Sequence, residues 1–294
     1  MGSVHPSGSP DTLPGAMLQL ETHGDVTRLA MSTRISRAAG YAVSAYAVRG
    51  ILIDTGFPSV AREVAAWLDQ ARPAGVVLTH SHEDHAGNVE LVARRGLPIA
   101  AGSATLDALR HPHHIGFYRR VLWGRVPPLV SHIQLFEHNG LALVPTPGHA
   151  SDHMIVWDAE RETLFAGDLF LSVKVRAAHP GEDLRVLARS VRVAAALRPK
   201  RMFDAHRGFV PDPVASLEAK ADWMEETIGV IEERIARGWS DRAIAREVLG
   251  KEDAAYYISR GQMSKINFVR AVRGGMRDGG HGMRNADPGA ISQR

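Results

Sequence analysis

The sequence predicts an α+β fold followed by an all-helical C-terminal domain. Over residues 17–212, short apolar runs typical of strands alternate with helix-patterned segments in two halves, a mixture that suits two packed sheets with helices outside. Residues 213–273 have a helical pattern almost throughout. We expect residues 1–16 to form a flexible lead-in and residues 274–294, which are rich in glycine and polar residues, to form a disordered tail.

The elements of the first half are predicted from the spacing of apolar residues and from the residues that end helices and strands. The segment 59–71 spaces its apolar residues as a helix does and stops at Pro73. The short apolar run at 75–78 is typical of a buried strand. In order, the predicted strands lie at 41–48, 50–54, 75–78 and 97–100, and the predicted helices at 59–71, 89–95 and from Ser103 onward.

The second half and the C-terminal domain are interpreted in the same way. Ser240 is a favourable N-cap, and Gly238 and Gly250 follow helix-patterned segments as C-terminal glycines do. The second half carries predicted strands at 141–144, 154–157, 163–166 and 201–205 and a predicted helix at 182–197. The C-terminal domain carries predicted helices at 223–237, 240–249 and 263–272.

Composition excludes several kinds of chemistry. The chain of 294 residues has no cysteine, so disulfides, thiolate ligands and a catalytic cysteine are ruled out. No run approaches the ~20 apolar residues that span a bilayer, and the N-terminus lacks the pattern of a secretory signal, which favours the cytoplasm. The net charge is +3 without a continuous basic stripe, so the sequence disfavours a nucleic-acid partner.

The most informative stretch is Thr79-His-Ser-His-Glu-Asp-His-Ala-Gly-Asn88, which follows the predicted strand at 75–78. In an extended segment, residues two apart point the same way, so His80 and His82 can reach one metal ion together. Asp84 and His85 follow the turn of the chain and can reach a second point nearby. Imidazole and carboxylate ligands suit zinc, iron or manganese.

This stretch and four others, in order along the chain, resemble the five sequence motifs of the metallo-β-lactamase superfamily. The stretch itself matches the HxHxDH signature. The other four are Ile51-Leu-Ile-Asp-Thr-Gly56, Thr146-Pro-Gly-His149, Phe165-Ala-Gly-Asp168 and Phe203-Asp-Ala-His206. The resemblance implies a four-layer αββα sandwich as the catalytic domain at 17–212, with a winged-helix-like helical domain after it.

The same resemblance implies two metal sites and a reaction. Site one would consist of His80, His82 and His149, site two of Asp84, His85 and His206, and Asp168 would bridge them. The cofactors would be two divalent ions, zinc first, with iron or manganese as alternatives. Their bridging hydroxide would attack an ester, thioester or lactone carbonyl, and Asp84 would also orient this nucleophile and carry a proton. Within the superfamily, the chain resembles the hydroxyacylglutathione hydrolases and the lactonase-like members that have a helical C-terminal tail.

Further candidates surround the expected metal centre. Asp54 either holds a ligand imidazole or simply ends a strand in a turn. His153 either touches the substrate or a ligand, or it lies behind the ligands or in solvent, as an isolated histidine beside a site more often does. In the segment 111–128, Tyr118 and Trp123 could bury an apolar acyl group while nearby arginines hold an anionic end; the alternative is a surface excursion.

Two other functions stay open at this point. One is an iron-dependent oxidoreductase of the persulfide dioxygenase type, and the other is a small nuclease or phosphodiesterase of the same superfamily. A β-lactamase is disfavoured because the zinc enzymes of that kind commonly use a cysteine ligand and a secretory signal. The expected partner is a small-molecule acyl substrate, and no membrane association is expected. A homodimer is possible.

Overall fold

The computed structural model describes residues 16–278 except 39, 113, 114, 137 and 139. The lead-in predicted at 1–16 therefore lies outside the described residues up to residue 15, and so does the part of the predicted tail beyond 278. Within the described chain, strands form a six-stranded and a five-stranded sheet.

The first sheet is built by the first half of the chain. Its strands, in spatial and sequence order, are β1 (Ala16–His23), β2 (Val26–Thr33), β3 (Val43–Val48), β4 (Ile51–Ile53), β5 (Gly75–Val77) and β6 (Ile99–Ala100). The first four strands pair antiparallel, as connections by short turns allow, and β4, β5 and β6 are parallel, with helices crossing between them. The helices of this half are α1 (Arg34–Ala38), α2 (Ala61–Ala71), α3 (Val89–Arg94), α4 (Ser103–Arg110) and α5 (Phe117–Trp123).

The second sheet is built by the second half. Its strands are β7 (Leu141–Pro145), β8 (Met154–Asp158), β9 (Thr163–Phe165), β10 (Arg201–Asp204) and β11 (Gly208–Val210), in the spatial order β11-β10-β9-β8-β7. Only the β9–β10 pair is parallel, and helix α6 (Leu184–Ala196) forms its crossover. Asp183 caps α6 by accepting bonds from the amides of Arg185 and Val186.

Three apolar clusters define the layers. The cluster between the sheets includes Tyr46, Ile53 and Val77 from the first sheet and Phe165 and Phe203 from the second. The outer face of the first sheet packs against α2 and α3, and the outer face of the second packs against α6 and the helices that follow β11. Helices therefore cover both outer faces, which confirms the predicted α+β fold and its αββα order.

The C-terminal region is helical, as predicted, although its elements differ in length and number. It contains α7 (Pro213–Ala236), α8 (Asp241–Ile244), a π-helical turn (Ala245–Leu249), α9 (Ala254–Ile258) and α10 (Lys265–Asp278). Helix α7 starts ten residues before the predicted position because Pro213 occupies its first turn, where proline is favoured, and buried Leu217 anchors that turn. Helix α10 continues to Asp278, so residues 274–278, expected in the disordered tail, are helical. None of the described helices has the length and apolar content that crossing a bilayer requires.

Candidate metal centre

The motif residues meet at one edge of the sandwich. Strands β4 and β5 are parallel, and strands β7, β9 and β10 of the second sheet run in one direction, so their carboxyl ends lie at common edges. The loops after these strands carry the polar residues of all five motifs. Both sheets therefore contribute side chains to one buried cluster, as sheets of mixed folds often do at their strand ends.

The first group of the cluster contains His80, His82, His149 and Asp168. One potential ligand atom from each lies within 4.8 Å of the others. The Nε2 atom of His149 lies 3.1 Å from Nδ1 of His82 and 3.2 Å from Oδ2 of Asp168. Ligand bonds of about 2.0–2.1 Å around a tetrahedral ion place neighbouring ligand atoms roughly 3.3 Å apart, so these distances match one ion.

The second group contains Asp84, His85 and His206, whose ligand atoms meet the same limit of 4.8 Å. Asp168 faces this group with its other oxygen. Its Oδ1 atom lies 3.2 Å from Nε2 of His85 and 3.0 Å from Nε2 of His206. The two carboxylate oxygens of Asp168 thus point at different histidine groups, an arrangement that can bridge two cations.

Buried polar atoms without hydrogen-bond partners test whether this donor set fits a metal. Among the described side chains, Nε2 of His80, Nε2 of His85 and Oδ1 of Asp168 are such atoms. An unpartnered buried polar atom is costly, and several that converge on one place indicate a missing ligand. Imidazole nitrogen and carboxylate oxygen are the donors that divalent transition metals accept. The residues present therefore fit two such ions.

Asp54 contacts an imidazole of the second group. Its Oδ2 atom accepts a hydrogen bond of 2.9 Å from Nδ1 of His85, and its carboxylate also accepts bonds from the amide and hydroxyl of Thr79. Because Nδ1 of His85 donates to Asp54, Nε2 is the ring nitrogen left to bind a cation beside Asp168. Of the two interpretations of Asp54, this contact matches the one in which it holds an imidazole.

Two partners of the histidines could not be found from sequence pattern. Nδ1 of His149 donates to Oε1 of Glu182 at 3.0 Å, and Nδ1 of His206 donates to the carbonyl of Ala42 at 3.0 Å. Glu182 is 33 positions from His149, outside every motif, and a backbone carbonyl leaves no signal in a sequence. Both bonds orient the ring so that Nε2 faces the cluster.

His153 lies behind the cluster. Its Nε2 atom accepts a bond of 3.1 Å from the backbone amide of Asp168, and Nδ1 donates to the hydroxyl of Thr146 at 2.9 Å. Burial lowers the pKa of His153 to about 3, so the ring is neutral. With both ring nitrogens engaged, His153 positions the backbone of Asp168, which matches the interpretation that it lies behind the ligands.

The histidines of the cluster differ in the direction of their pKa shifts. Burial holds the pKa of His80 and His82 well below the usual histidine value, so both stay neutral. Burial also opposes protonation of His85, but the charge of Asp168 raises the pKa of that ring well above its usual value. The cluster therefore attracts positive charge towards Asp168, where a metal ion would lie.

A glycine shapes the loop that carries His149. Gly148 has a φ of 131°, and a Cβ at this position would collide with the backbone of Leu187 in α6. The loop can approach α6 closely only without a side chain here. The Thr-Pro-Gly-His motif therefore needs glycine for packing as much as histidine for chemistry.

The segment 111–128 differs from its prediction. Trp123 is only 4% exposed and packs against the ring of Phe57 at a centroid distance of 4.7 Å, so it belongs to the core. Tyr118 does not line the large cavity of about 1050 Å³ that opens beside His82 and His149. Trp123 in the short helix α5 turns into the apolar layer under the first sheet and packs in the core, whereas the role expected of Tyr118 stays a prediction.

Tyr41 is a further residue that sequence reasoning missed. Its hydroxyl lies 3.0 Å from Nε2 of His206, and its ring packs against His206 and Trp123. Tyr41 lies outside all five motifs, at the start of a predicted strand, so only the folded chain places a phenol beside the second group.

Comparison with known proteins gives a consistent picture. The family model of the metallo-β-lactamase superfamily matches residues 39–206. A "Beta-lactamase-like protein 2 homolog" of Drosophila melanogaster is 27% identical over 192 residues, which cover 58% of this chain and 59% of that protein. "Thioesterase pkgB" of Emericella nidulans is 32% identical over 162 residues, which cover 53% of this chain and 42% of the fungal protein.

A solved structure shares the fold. A metallo-β-lactamase family protein of Thermus thermophilus superposes with a TM-score of 0.58 at 17% identity, covering 91% of this chain and 95% of that one. The chain spans about half to three-fifths of the length of the first curated relatives it matches.

Proposed function

This chain belongs to the metallo-β-lactamase superfamily, and from that premise we propose that it is a dinuclear metallohydrolase that cleaves an ester, thioester or lactone. The observation that carries the proposal is the position of Asp168. One of its oxygens faces His149, and the other faces His85 and His206. A bridging carboxylate is the feature that a pair of ions needs and a single ion does not.

The proposed ligand assignment follows the two groups. Site one takes His80, His82 and His149, site two takes Asp84, His85 and His206, and Asp168 bridges them. When bound, a pair of divalent ions, most simply zinc, lowers the pKa of water to about 7 and polarises a carbonyl oxygen. The superfamily binds divalent metals, and iron or manganese would use the same donors.

The chain's own residues position the reactants. Asp84 is buried beside His85, with Oδ2 4.0 Å from Nε2 of that ring, so a carboxylate oxygen is available to orient a water molecule and accept its proton. Asp54, Glu182 and the carbonyl of Ala42 fix the imidazoles against rotation. The large cavity beside His82 and His149 gives a substrate access to this side of the centre.

The comparisons support a carbonyl substrate. The fungal relative is named a thioesterase, and its matched region includes residues that correspond to about half of this chain. Thioester cleavage uses attack on a carbonyl carbon, which is the reaction proposed here. That match covers 42% of the fungal protein, so the acyl group is varied in the assay below.

Elemental analysis of the purified protein, together with assays on a panel of substrates, tests the proposal. We expect close to two transition-metal ions per chain after expression in metal-supplemented medium. We also expect hydrolysis of an ester, thioester or lactone that a chelator abolishes and added zinc restores. One iron per chain with oxygen uptake on a persulfide would replace the proposal with the dioxygenase function. Cleavage of phosphodiesters alone would replace it with the nuclease function.

A further inference from the structure

We propose that the cavity beside site one selects substrates that carry an anionic group, a carboxylate or a phosphate, and that Arg120 and Arg125 bind this group. The inference rests on the proposed hydrolase function and adds a substrate class to it. It depends on the lining of the cavity, on the balance of charge along its wall and on the apolar side chains that share that wall.

The cavity connects the metal residues with three arginines. Its volume of about 1050 Å³ is at the upper end of the range typical of small-molecule sites. His82 and His149 line one part of the wall, and Arg119, Arg120 and Arg125 line another. A substrate bound in this cavity can therefore present a carbonyl to the centre and another group to the arginines at the same time.

The charge on the wall is not balanced. The acids that line the cavity, Glu83 and Asp152, are both engaged: Glu83 pairs with Arg119, and Asp152 accepts a bond of 2.8 Å from the amide of Ser81. Arg119 is ion-paired with Glu83, but Arg120 and Arg125 have no acidic partner in the described part of the chain. Two guanidinium groups are thus free to bind an anion, for which their planar donors suit carboxylate and phosphate.

The remaining wall is largely apolar. Leu109, Ile115 and Val126 line the cavity together with prolines 112, 127 and 128. The C-terminal region closes the wall with Gln262, which approaches Gly116 so closely that a Cβ there would clash with its amide. An apolar segment between the carbonyl and the anionic group matches this lining, so the expected substrate is a short acyl compound with a distal anion.

Matched substrates test the inference. We would compare a neutral acyl thioester with an ω-carboxylate and an ω-phosphonate of the same chain length, so that the two anionic arms separate carboxylate from phosphate recognition. For the wild-type protein we expect kcat/KM at least 10-fold higher for one anionic substrate than for the neutral one. The double variant Arg120→Gln, Arg125→Gln should lose this preference by roughly 10- to 100-fold, mainly through KM, because the charge-assisted hydrogen bonds to the anionic group are lost. Its kcat/KM for the neutral substrate should fall by less than its kcat/KM for the preferred anionic substrate.

The matched control is Arg189→Gln, which removes an exposed arginine on α6 that does not line the cavity. This variant should keep the preference. Equal turnover of neutral and anionic substrates by the wild-type protein, or an unchanged preference in the double variant, would overturn the inference while the hydrolase proposal stands.

A binding measurement separates failure of the inference from failure of the proposed function. If no acyl substrate is hydrolysed, the hydrolase proposal fails, and calorimetric titration with a dicarboxylate and with a phosphonocarboxylate then decides the anion site alone. At least a 10-fold loss of affinity in the double variant, without loss in Arg189→Gln, supports the site. Equal affinities in all three proteins contradict it.

Discussion

Asp168 holds the centre together at the scale of single residues. Its side chain contacts His85, His149 and His206, while His153 fixes its backbone amide from behind. The preceding Gly167 has a φ of 50°, and a Cβ there would lie 2.7 Å from Nε2 of His153, so a side chain would displace the ring that anchors Asp168. One carboxylate therefore depends on a glycine and a neutral histidine for its position.

We predict that Asp168→Ala removes both proposed ions, whereas Asp54→Asn leaves them largely bound. Loss of a bridge deletes one ligand from each site, but loss of the Asp54 charge only weakens the hold on His85, which typically costs 10- to 100-fold in metal affinity or activity. Asparagine also tolerates the left-handed backbone of Asp54, with its φ of 61°. Metal content and kcat/KM measured side by side check this, and equal metal loss in both variants would contradict the bridge.

A second prediction for a single residue concerns the hydroxyl of Tyr41. Once Nε2 of His206 serves as a ligand, its lone pair is no longer available to the Tyr41 hydroxyl 3.0 Å away, and the phenol can donate to a substrate oxygen instead. We expect Tyr41→Phe to lower kcat on the order of 100-fold, the effect of removing one oxyanion donor, with unchanged metal content and KM. An unchanged kcat, or a loss of metal, would exclude this role.

The accuracy of sequence prediction differed between elements for physical reasons. The strands that end in the motifs were predictable because their signals are local: an apolar run, then glycine and polar residues. The roles of Glu182, Tyr41 and Trp123 depend on packing between distant segments, which no local pattern records. Trp123 shows the limit best, since an aromatic residue in a loop-like segment matches a substrate wall and a core equally well, and burial decides in favour of the core.

Helix α7 brings a buried cation towards the centre. Lys220 is 3% exposed, its Nζ donates to the carbonyl of Ser172 at 3.3 Å, and it lies 5.7 Å from the centre of the Phe170 ring. A small cavity of about 30 Å³, enough for one water molecule, is lined by Lys220 together with His149, Asp168 and Glu182. The helix thus connects the C-terminal region to the metal centre through a cavity separate from the one proposed for substrate.

The free energy of unfolding of the protein should depend on the charge of Lys220 in helix α7. Burial lowers the pKa of this lysine to about 8, below the value of roughly 10.4 in an unfolded chain. Below pH 8 the buried charge costs on the order of 3 kcal/mol, and this cost is relieved as the pH rises from about 8 to about 10.4, because the unfolded chain binds more protons there.

We therefore predict that Lys220→Met raises the free energy of unfolding at pH 7 by about 1–3 kcal/mol and removes the rise in stability between about pH 8 and 10.4. Denaturant unfolding of the metal-loaded protein at pH 7 and across the range from about pH 8 to 10.4 measures the free energy of unfolding and its dependence on pH. Lys174→Met, at an exposed lysine, is the control and should change neither quantity. A less stable Lys220→Met protein with an unchanged pH slope would contradict the assignment of the cost to the buried charge.

At the scale of the whole molecule, the proposed ions would join the two halves of the sandwich. The first half contributes His80, His82, Asp84 and His85 from one loop, and the second contributes His149, Asp168 and His206 from three loops. The apolar cluster between the sheets holds the halves together elsewhere, and at this edge their contacts include the imidazoles and the carboxylate of the cluster. Because the candidate ligand residues come from both halves, metal binding would contribute to the folding free energy.

Removal of the ions should consequently weaken the whole catalytic fold. A ligand that binds only the folded state at 100 times its dissociation constant stabilises it by about 2.7 kcal/mol, so two sites together contribute on the order of 5 kcal/mol. For a chain of this size that corresponds to roughly 10 °C or more in Tm. We expect a chelator to lower Tm by this amount, zinc to restore it in a concentration-dependent way, and Asp168→Ala to show neither effect because both sites have lost their shared ligand. Thermal unfolding with and without chelator measures all three.

A wild-type Tm that does not depend on metal would mean that the edge is held by protein contacts alone. A metal-dependent Tm in Asp168→Ala would place the stabilising ion outside the proposed pair.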